Sequence, residues 1–578
     1  MKTCNPFLRT VLSLLLVCLL LVPLASCGKG KKTDTTEPLT DSATDPNPSS
    51  GTTAGETTAE STSKWDGIGE AVSAYAASDR TLLIEYDMFV SPENSPKNNI
   101  YIQGPDEVVG GVTSSIEELV YNRNKAAADL LGVTMSYTYW DDLKWAKQAD
   151  RIKTVVQGNA VDAPDLFVNM IYDLNIAMKS GGGLFKDVTS IPGAYFDFEV
   201  DGWMKDWMES LSFTTDRAYI LGGDYFIDIL RAMGVLPFNL DLMDANADKL
   251  AAAIIDEDDE LAVNEKLSTR FFDLVEQEQW TWEVLGKLCA AIWVDVDGSG
   301  SNTTDDLLGI ITDRYSGLPG SIIIFSAGES LTETYKIEDR NNPYYGKYWV
   351  RYNETPGAVG AIFDAVAGVF SGAGAFVTND FSNDGSGFPF HYSKFASDEL
   401  LFVGPSMIGT LEQDAFQQMH STYSVVPMPK VSADKKYNTP IHSTADAGAI
   451  NVNTSPDKTR ALSAYLQHCN ENSGEIRKYF LQVVTKYKTT TYNQGTDRML
   501  DLIYDNLTTG RDMALEFTAE QTSDRRTVSV LKGQGYVGDS AFLAATYEAN
   551  LSKKQSNLDS VLEKWYALPT GATETPAE

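Results

Sequence analysis

The chain has 578 residues, 43% of them hydrophobic and 11% aromatic, which is apolar material for more than one core and excludes a peptide hormone, a fibrous repeat or a wholly disordered chain. Acidic residues outnumber basic ones by 80 to 46, a formal net charge of −34, and no run of Lys or Arg is longer than a pair, so a nucleic-acid partner is excluded by repulsion. Three of the five cysteines (4, 18, 27, 289 and 469) fall in the first 27 residues, a spacing that makes neither a disulfide framework nor a zinc site.

At the N-terminus Lys2 and Arg9 form a positive region, followed by an apolar run over 11–22 and then Leu24-Ala25-Ser26-Cys27. The run is about a dozen residues, short of the roughly 20 that a spanning helix needs, and the whole reads as a secretion signal over 1–27. The tetrad resembles the lipobox of bacterial lipoproteins. That resemblance implies a diacylglyceryl anchor on Cys27 and a protein held at the extracellular face of the bacterial cell membrane. An ordinary cleavable signal is the alternative. Residues 28–64 are rich in Thr, Ser and Pro and nearly free of large apolar side chains, the composition of a disordered tether; 569–578 reads as a disordered tail.

From 65 to 568 there is neither repeat nor low-complexity break, as expected for one structural unit of two lobes. Residues 81–86 read as a buried strand. Ser114 or Ser115 caps a helix whose apolar positions, Ile116, Leu119, Val120, Ala127, Leu130 and Leu131, keep helical spacing until Gly132 stops it. A second strand over 133–140, a helix over 145–158, a third strand over 164–170 and a third helix over 171–182 follow. Alternating strands and helices imply a mainly parallel sheet covered on both faces, with ligands bound beyond the carboxyl ends of its strands. Cys289 and Cys469 sit in apolar helical sequence and are expected as buried thiols, with their pairing left open.

Directly after the WTWEVLGKLCAAIW segment comes Asp295-Val296-Asp297-Gly298-Ser299-Gly300-Ser301-Asn302-Thr303-Thr304-Asp305-Asp306. Oxygen side chains at Asp295, Asp297 and Ser299, a glycine at Gly300, a carbonyl at Ser301 and a carboxylate at Asp306 reproduce the spacing of an EF-hand-type calcium loop. Asp306 is one carbon shorter than the usual Glu. A structural calcium ion and a solvated acidic turn both remain open.

Several segments, in order along 80–510, resemble the family 1 extracellular solute-binding proteins of bacterial ABC importers, the maltose-binding-like group. They are Gly132-Val133-Thr134-Met135 after a helix; PDLFVNM, then Gly183-Leu184-Phe185-Lys186-Asp187-Val188-Thr189; the hairpin over 213–221; Leu236-Pro237-Phe238-Asn239; and Trp280-Thr281-Trp282-Glu283-Val284-Leu285. Ser406-Met407, the Pro427-Met428-Pro429 segment with its preceding strand, and Asp446-Ala447-Gly448-Ala449-Ile450 complete the series. Asn239-Leu240 departs from the family's Asn-Lys, so no ligand role is carried over there.

The resemblance implies an α/β, two-lobed, type II-like periplasmic-binding-protein fold with a hinge. Lobe one takes about 80–215 and 395–435, and lobe two about 216–394 and 436–567. It further implies a monomer that is not an enzyme, closes on a solute with oligosaccharides foremost, and passes it to an ABC transporter permease.

Sugar sites combine aromatic faces with carboxylates and hydroxyls. Candidates of those types near the expected cleft are Tyr86 at the end of the first strand, Tyr172 and Asp173 after the third, Asp224, Tyr225 and Asp228 in GGDYFIDIL, and Ser443 and Asp446 by the returning strand. Trp203, Trp207, Trp280 and Trp282 read as packing residues. A surface-tethered carbohydrate-active hydrolase and an adhesion lipoprotein are the rival classes. No HExxH, GxSxG or P-loop pattern occurs, and His391, His420, His442 and His468 do not group.

Overall fold

The computed structural model describes residues 65, 67–68, 72, 80–87, 115–140, 147–179, 183–212, 217–255, 259–314, 317–378, 390–481, 494–507, 512 and 527–567. The signal, Cys27, the tether, the tail and residues 213–216 of the expected hairpin lie outside them. Twelve strands are described: β1 (Thr81–Asp87), β2 (Thr134–Trp140), β3 (Leu166–Met170), β4 (Gly234–Asn239), β5 (Leu308–Asp313), β6 (Thr332–Lys336), β7 (Tyr348–Tyr352), β8 (Ala375–Thr378), β9 (Leu400–Val403), β10 (Ser406–Met407), β11 (Tyr423–Val426) and β12 (Asp446–Ile450). The helices used below are α1 (Ser115–Leu131), α2 (Lys147–Gly158), α3 (Ile171–Lys179), α4 (Ile227–Arg231), α5 (Leu267–Glu276), α6 (Trp282–Ile292), α7 (Gly357–Phe370), α8 (Pro456–Glu471), α9 (Gly474–Tyr479), α10 (Gln494–Asp505) and α11 (Ser540–Ala567).

The first sheet has the order β12-β3-β1-β2. β1 runs parallel to β2, with Thr81 opposite Thr134 and Asp87 opposite Trp140, and parallel to β3 on its other side. All five residues of β3 are buried, as a central strand covered on both faces requires. α1 ends where expected: Gly132 takes φ +62, a left-handed conformation that costs a residue with a Cβ, and the next amide, Val133 N–H, donates back to the Ala128 carbonyl. β12 closes the sheet antiparallel to β3, Asp446 opposite Met170. A Cβ on Gly448 would lie 2.5 Å from the Phe226 ring, so this strand needs glycine there for Phe226 to lie across it.

The second sheet has the order β10-β4-β9-β5-β8, with β11 also on β4. Its core is aromatic. Trp280 stacks on Phe402 at 5.7 Å and meets Phe271 edge-on at 4.9 Å, while its indole N–H donates to the Pro427 carbonyl at 3.0 Å. Thr281, between the two tryptophans, caps α6 by accepting from Val284 N–H at 3.3 Å. The WTW segment thus supplies two core side chains and the helix start. The antiparallel pair β6–β7 forms a separate hairpin.

Two antiparallel segments, 221–234 and 439–446, carry the chain between the sheets. Leu221 exchanges backbone hydrogen bonds with Gly448 (2.7 and 2.9 Å), and Gly234 N–H and His442 N–H donate to Pro440 (2.8 Å) and Ala232 (2.9 Å) carbonyls. α9 packs on α1 and α10 on β11. The two α/β lobes joined by crossing segments are the class of fold expected. Their assignment differs in one respect: β9, β10 and β11 pair in the second sheet, whereas β12 lies in the first and α8 packs on α1. Segments 395–435 and 446–479 therefore exchange lobes relative to the sequence reading. Apolar strands look alike in either lobe, and only hydrogen-bond partners far along the chain decide which sheet takes them.

Trp203 and Trp207 are buried packing residues, the former donating its indole N–H to Gln467 at 2.9 Å. Cys289 and Cys469 are buried and unbridged, on α6 in the second lobe and α8 in the first. Because Trp280 ties α5, β9 and the Pro427 carbonyl together, Trp280→Ala is expected to cost about 3–5 kcal/mol of stability, measured by urea denaturation. A loss below about 1 kcal/mol would show that the aromatic cluster does not hold the second lobe.

Candidate functional site

The carboxyl end of β3 meets the crossing segments. As the chain leaves β3 and enters α3, Ile171 N–H and Tyr172 N–H donate to the Ala445 and Ser443 carbonyls, both at 2.9 Å. This brings Tyr172 and Asp173 beside Ser443 and Asp446, some 270 positions away in the chain. Asp228, on the other crossing segment, joins them: its Oδ2 accepts from Asp446 N–H at 3.0 Å and its Oδ1 from Arg231 Nη1 at 2.7 Å. Arg231 in turn grips Glu412 of the second lobe with two bonds of 3.0 Å. Five of the eight candidates therefore surround one junction, with Tyr172 and Asp228 half-buried and Asp173, Ser443 and Asp446 buried.

Asp173 carries the most unusual electrostatics there. Its Oδ1 accepts from Ala149 N–H at 3.3 Å in the first turn of α2, and its Oδ2 has no hydrogen-bond partner among the described residues. Burial pushes its carboxyl up to about 6, with Asp150 pushing the same way against the Ala149 bond. The sequence reading missed two neighbours in the chain, Asn169 on β3 and Asn175 on α3. Both are buried, and the Asn169 Oδ1 and both polar atoms of the Asn175 amide lack partners among the described residues. A buried amide without a partner costs about 1–3 kcal/mol, so such groups mark places where water or ligand completes the set. The available signal was an asparagine at positions in LFVNM and IYDLNIA where the pattern calls for apolar residues.

The other three candidates lie in the interior of the first lobe and line no surface in this conformation. Tyr86 and Tyr225 bond through their hydroxyls at 3.0 Å; Tyr225 also lies under the Arg123 guanidinium at 4.9 Å and edge-on to Tyr465. Burial pushes the Tyr225 hydroxyl up to about 12. Asp224 accepts from Arg477 Nη1 at 2.7 Å and from the Tyr504 hydroxyl at 3.1 Å. Burial pushes its carboxyl up to about 6 in spite of Arg477. These residues root the crossing segment in the first lobe, so alanine at Asp224 or Tyr225 disturbs the fold itself. The reason is position: two residues at the start of a crossing segment look like cleft-edge residues in sequence, but the adjoining backbone turns them inward.

In the loop after α6, one carboxylate oxygen from each of Asp295, Asp297 and Asp306 lies within 4.8 Å of the others. Calcium–oxygen distances of about 2.4 Å allow any two ligands a separation up to about 4.8 Å, so this donor set and span fit a calcium-sized cation. Gly298 and Gly300 take φ +71 and +72, the left-handed turns that wind the loop around its carboxylates. Asp306 is buried, its Oδ1 accepting from Val296 N–H at 2.9 Å and its Oδ2 from Thr303 N–H at 2.8 Å; the Ser299 hydroxyl donates to the Ser301 carbonyl at 3.1 Å.

No protein-family model matches the chain, and no curated protein does. Among solved structures it is similar to the galacto-N-biose-/lacto-N-biose I-binding protein of the ABC transporter from Bifidobacterium longum in complex with lacto-N-biose: TM-score 0.44, 13% identity, over 84% of this chain and 98% of that one. It is also similar to a family 1 extracellular solute-binding protein from Bifidobacterium longum subsp. infantis, with TM-score 0.43, 14% identity, over 85% of this chain and 100% of that one.

With the folded-state Asp173 carboxyl raised to about 6, above the ordinary Asp range of the unfolded chain, folding takes up a proton in that interval. The parent's stability from this site therefore increases as pH falls through 6 and is lost as pH rises through it. Asp173→Asn is expected to be more stable than the parent at about pH 7.5 and to keep only about half of that advantage at about pH 5, read by urea denaturation at both. A difference that does not change with pH would remove the proton linkage from Asp173.

Proposed function

We propose that this chain is a membrane-anchored extracellular solute-binding protein that captures a solute, with an oligosaccharide as the leading class, and delivers it to an ABC transporter permease. The observation that carries this reading is the pair of α/β lobes joined by mutually bonded crossing segments, with the carboxyl end of a central strand opening onto the junction. Such a junction can bend while each lobe stays intact, which is how hinge closure encloses a ligand. The half-buried Tyr172 and Asp228 and the unsatisfied polar atoms of Asn169, Asp173 and Asn175 supply an aromatic face and hydrogen-bonding groups of the kinds that hydroxylated ligands use. The order of the sequence motifs supports the same reading. Binding and release need no covalent step, so the protein acts without catalysis. Acyl chains on Cys27 would hold it at the outer membrane face, and the tether would let the lobes stand clear of the lipid. A calcium ion in the 295–306 loop would be structural: it would neutralise three converging carboxylates and fix the turn between α6 and β5.

Melting temperature against a panel of oligosaccharides tests the capture step. A ligand at roughly 100 times its Kd adds about 2.7 kcal/mol to stability. A rise with one sugar, recovered intact, is the expected result; cleaved sugar would point to a hydrolase, and no response to any sugar would remove the oligosaccharide reading. The anchor has its own test, since Cys27→Ser should move the protein from the membrane fraction to the medium, and retention in the membrane would contradict lipidation.

The loop is tested by terbium luminescence. Trp293 donates to Asp306 at 3.4 Å and can sensitise a lanthanide held there. Emission that calcium displaces and Asp297→Asn abolishes is expected, and its absence would leave a solvated acidic turn.

A further inference from the structure

We propose that the last turn of the C-terminal helix is a clasp between the lobes that sets the angle at which they stand. α11 is rooted in the second lobe for most of its 28 residues. It packs along α7 and β7; Gln555 accepts from Tyr352 N–H at 3.0 Å and donates to the Val350 carbonyl at 3.2 Å, and Asp559 accepts from the Trp349 indole at 2.9 Å. Lys554 is buried with its ammonium over the rings of Tyr352 and Tyr547, at 5.2 and 4.7 Å. These contacts make the helix one body with the β6–β7 hairpin.

Its final turn faces both ways: Tyr566 stays on the hairpin, stacked on Trp349 at 5.9 Å with its hydroxyl donating to the Tyr348 carbonyl, while its neighbour reaches the other lobe. Trp565, 3% exposed, meets Tyr219 edge-on at 4.8 Å, its carbonyl accepts from Arg217 Nη1 at 3.1 Å, and the Arg217 guanidinium lies over the Tyr566 ring at 5.6 Å. Arg217 and Tyr219 are themselves buried and belong to the first lobe. Between them, Ala218 accepts from Val188 N–H at 2.8 Å and donates to Asp187 Oδ1 at 3.2 Å, and three residues on Leu221 pairs with Gly448. The sequence thus places a large aromatic side chain at the very end of a second-lobe helix and buries it against the first lobe.

A contact inside one lobe contributes equally to every hinge angle. A contact between lobes contributes only to the angles at which it is made, so its free energy acts directly on the equilibrium between lobe arrangements. The paired crossing segments leave the lobes free to bend, and the clasp biases them toward the arrangement seen here. The inference rests on the reading of the protein as a hinged solute binder, but its test needs no solute.

Full-length protein carrying Gln157→Cys on α2 and Lys287→Cys on α6, both exposed, with Cys4, Cys18 and Cys27 replaced by Ser, can be spin-labelled while the buried Cys289 and Cys469 stay unlabelled. Inter-lobe distances are then measured by pulsed electron resonance without ligand. Trp565→Ala is expected to shift or broaden the distribution by several ångströms; a distribution superimposable on the parent's overturns the clasp. Should Trp565→Ala fail to fold, Arg217→Met keeps the ring packing and removes only the guanidinium contacts. The same shift in smaller measure is expected from it, and an unchanged distribution is again decisive against the clasp. Adding oligosaccharide to the labelled parent separates the two ideas, because a parent that ignores every sugar while Trp565→Ala still shifts leaves the clasp standing and removes the solute reading.

Discussion

Everything in this molecule turns on the pairing of its two crossing segments. The backbone bonds between Leu221 and Gly448 fix one segment on the first sheet, and those between 232–234 and 440–442 tie the two segments together as they enter the second. Each segment satisfies the other's polar backbone at the margins of the two sheets. The glycine at 448 makes this possible, since a side chain there would occupy the space of the Phe226 ring. A junction of two strands is stiff along its length and compliant across it, and compliance across it is what a closing cleft needs.

Around that junction the chain spends its polar residues unevenly. Where the crossing segment leaves the first lobe, Asp224, Arg477 and Tyr504 of α10 satisfy one another, as do Tyr86 and Tyr225, so these buried groups are at little cost and hold the crossing segment in place. At the end of β3 the reverse holds. Asn169, Asp173 and Asn175 keep atoms with no partner among the described residues, a standing cost that packing alone does not explain. The contrast separates groups that hold the crossing segment in place from groups whose hydrogen-bonding capacity is left unmet.

The local elements were legible because their determinants are local. The apolar run within 81–86, helical spacing up to Gly132 and the LFVNM run, apolar but for Asn169, each specify an element without reference to anything distant, and the structure has β1, α1 and β3 at those places. The WTW segment was legible as packing, with Thr281 as the cap between the two tryptophans. The loop at 295–306 was legible as a convergence of carboxylates, because ligand spacing within a dozen residues is set by a single turn geometry.

The site was legible only in part, and the division follows contact distance. Residue types appropriate to a sugar contact could be picked near strand ends, which brought Tyr172, Asp173, Asp228, Ser443 and Asp446 to one junction. The inward turn of Asp224 and Tyr225 depended on Arg477, Asn470 and Tyr465, some 240 to 253 positions later, and no local pattern encodes such a meeting.

By itself the sequence determined the elements, the α/β class, the apolar faces and the acidic loop, since these follow from backbone preference and spacing within a turn or two. Only the tertiary structure decided which lobe takes β9 to β12, which polar groups are satisfied, and that the end of α11 reaches across to Tyr219. Each of those is a choice among partners hundreds of residues apart, settled by what the whole chain can bury at once.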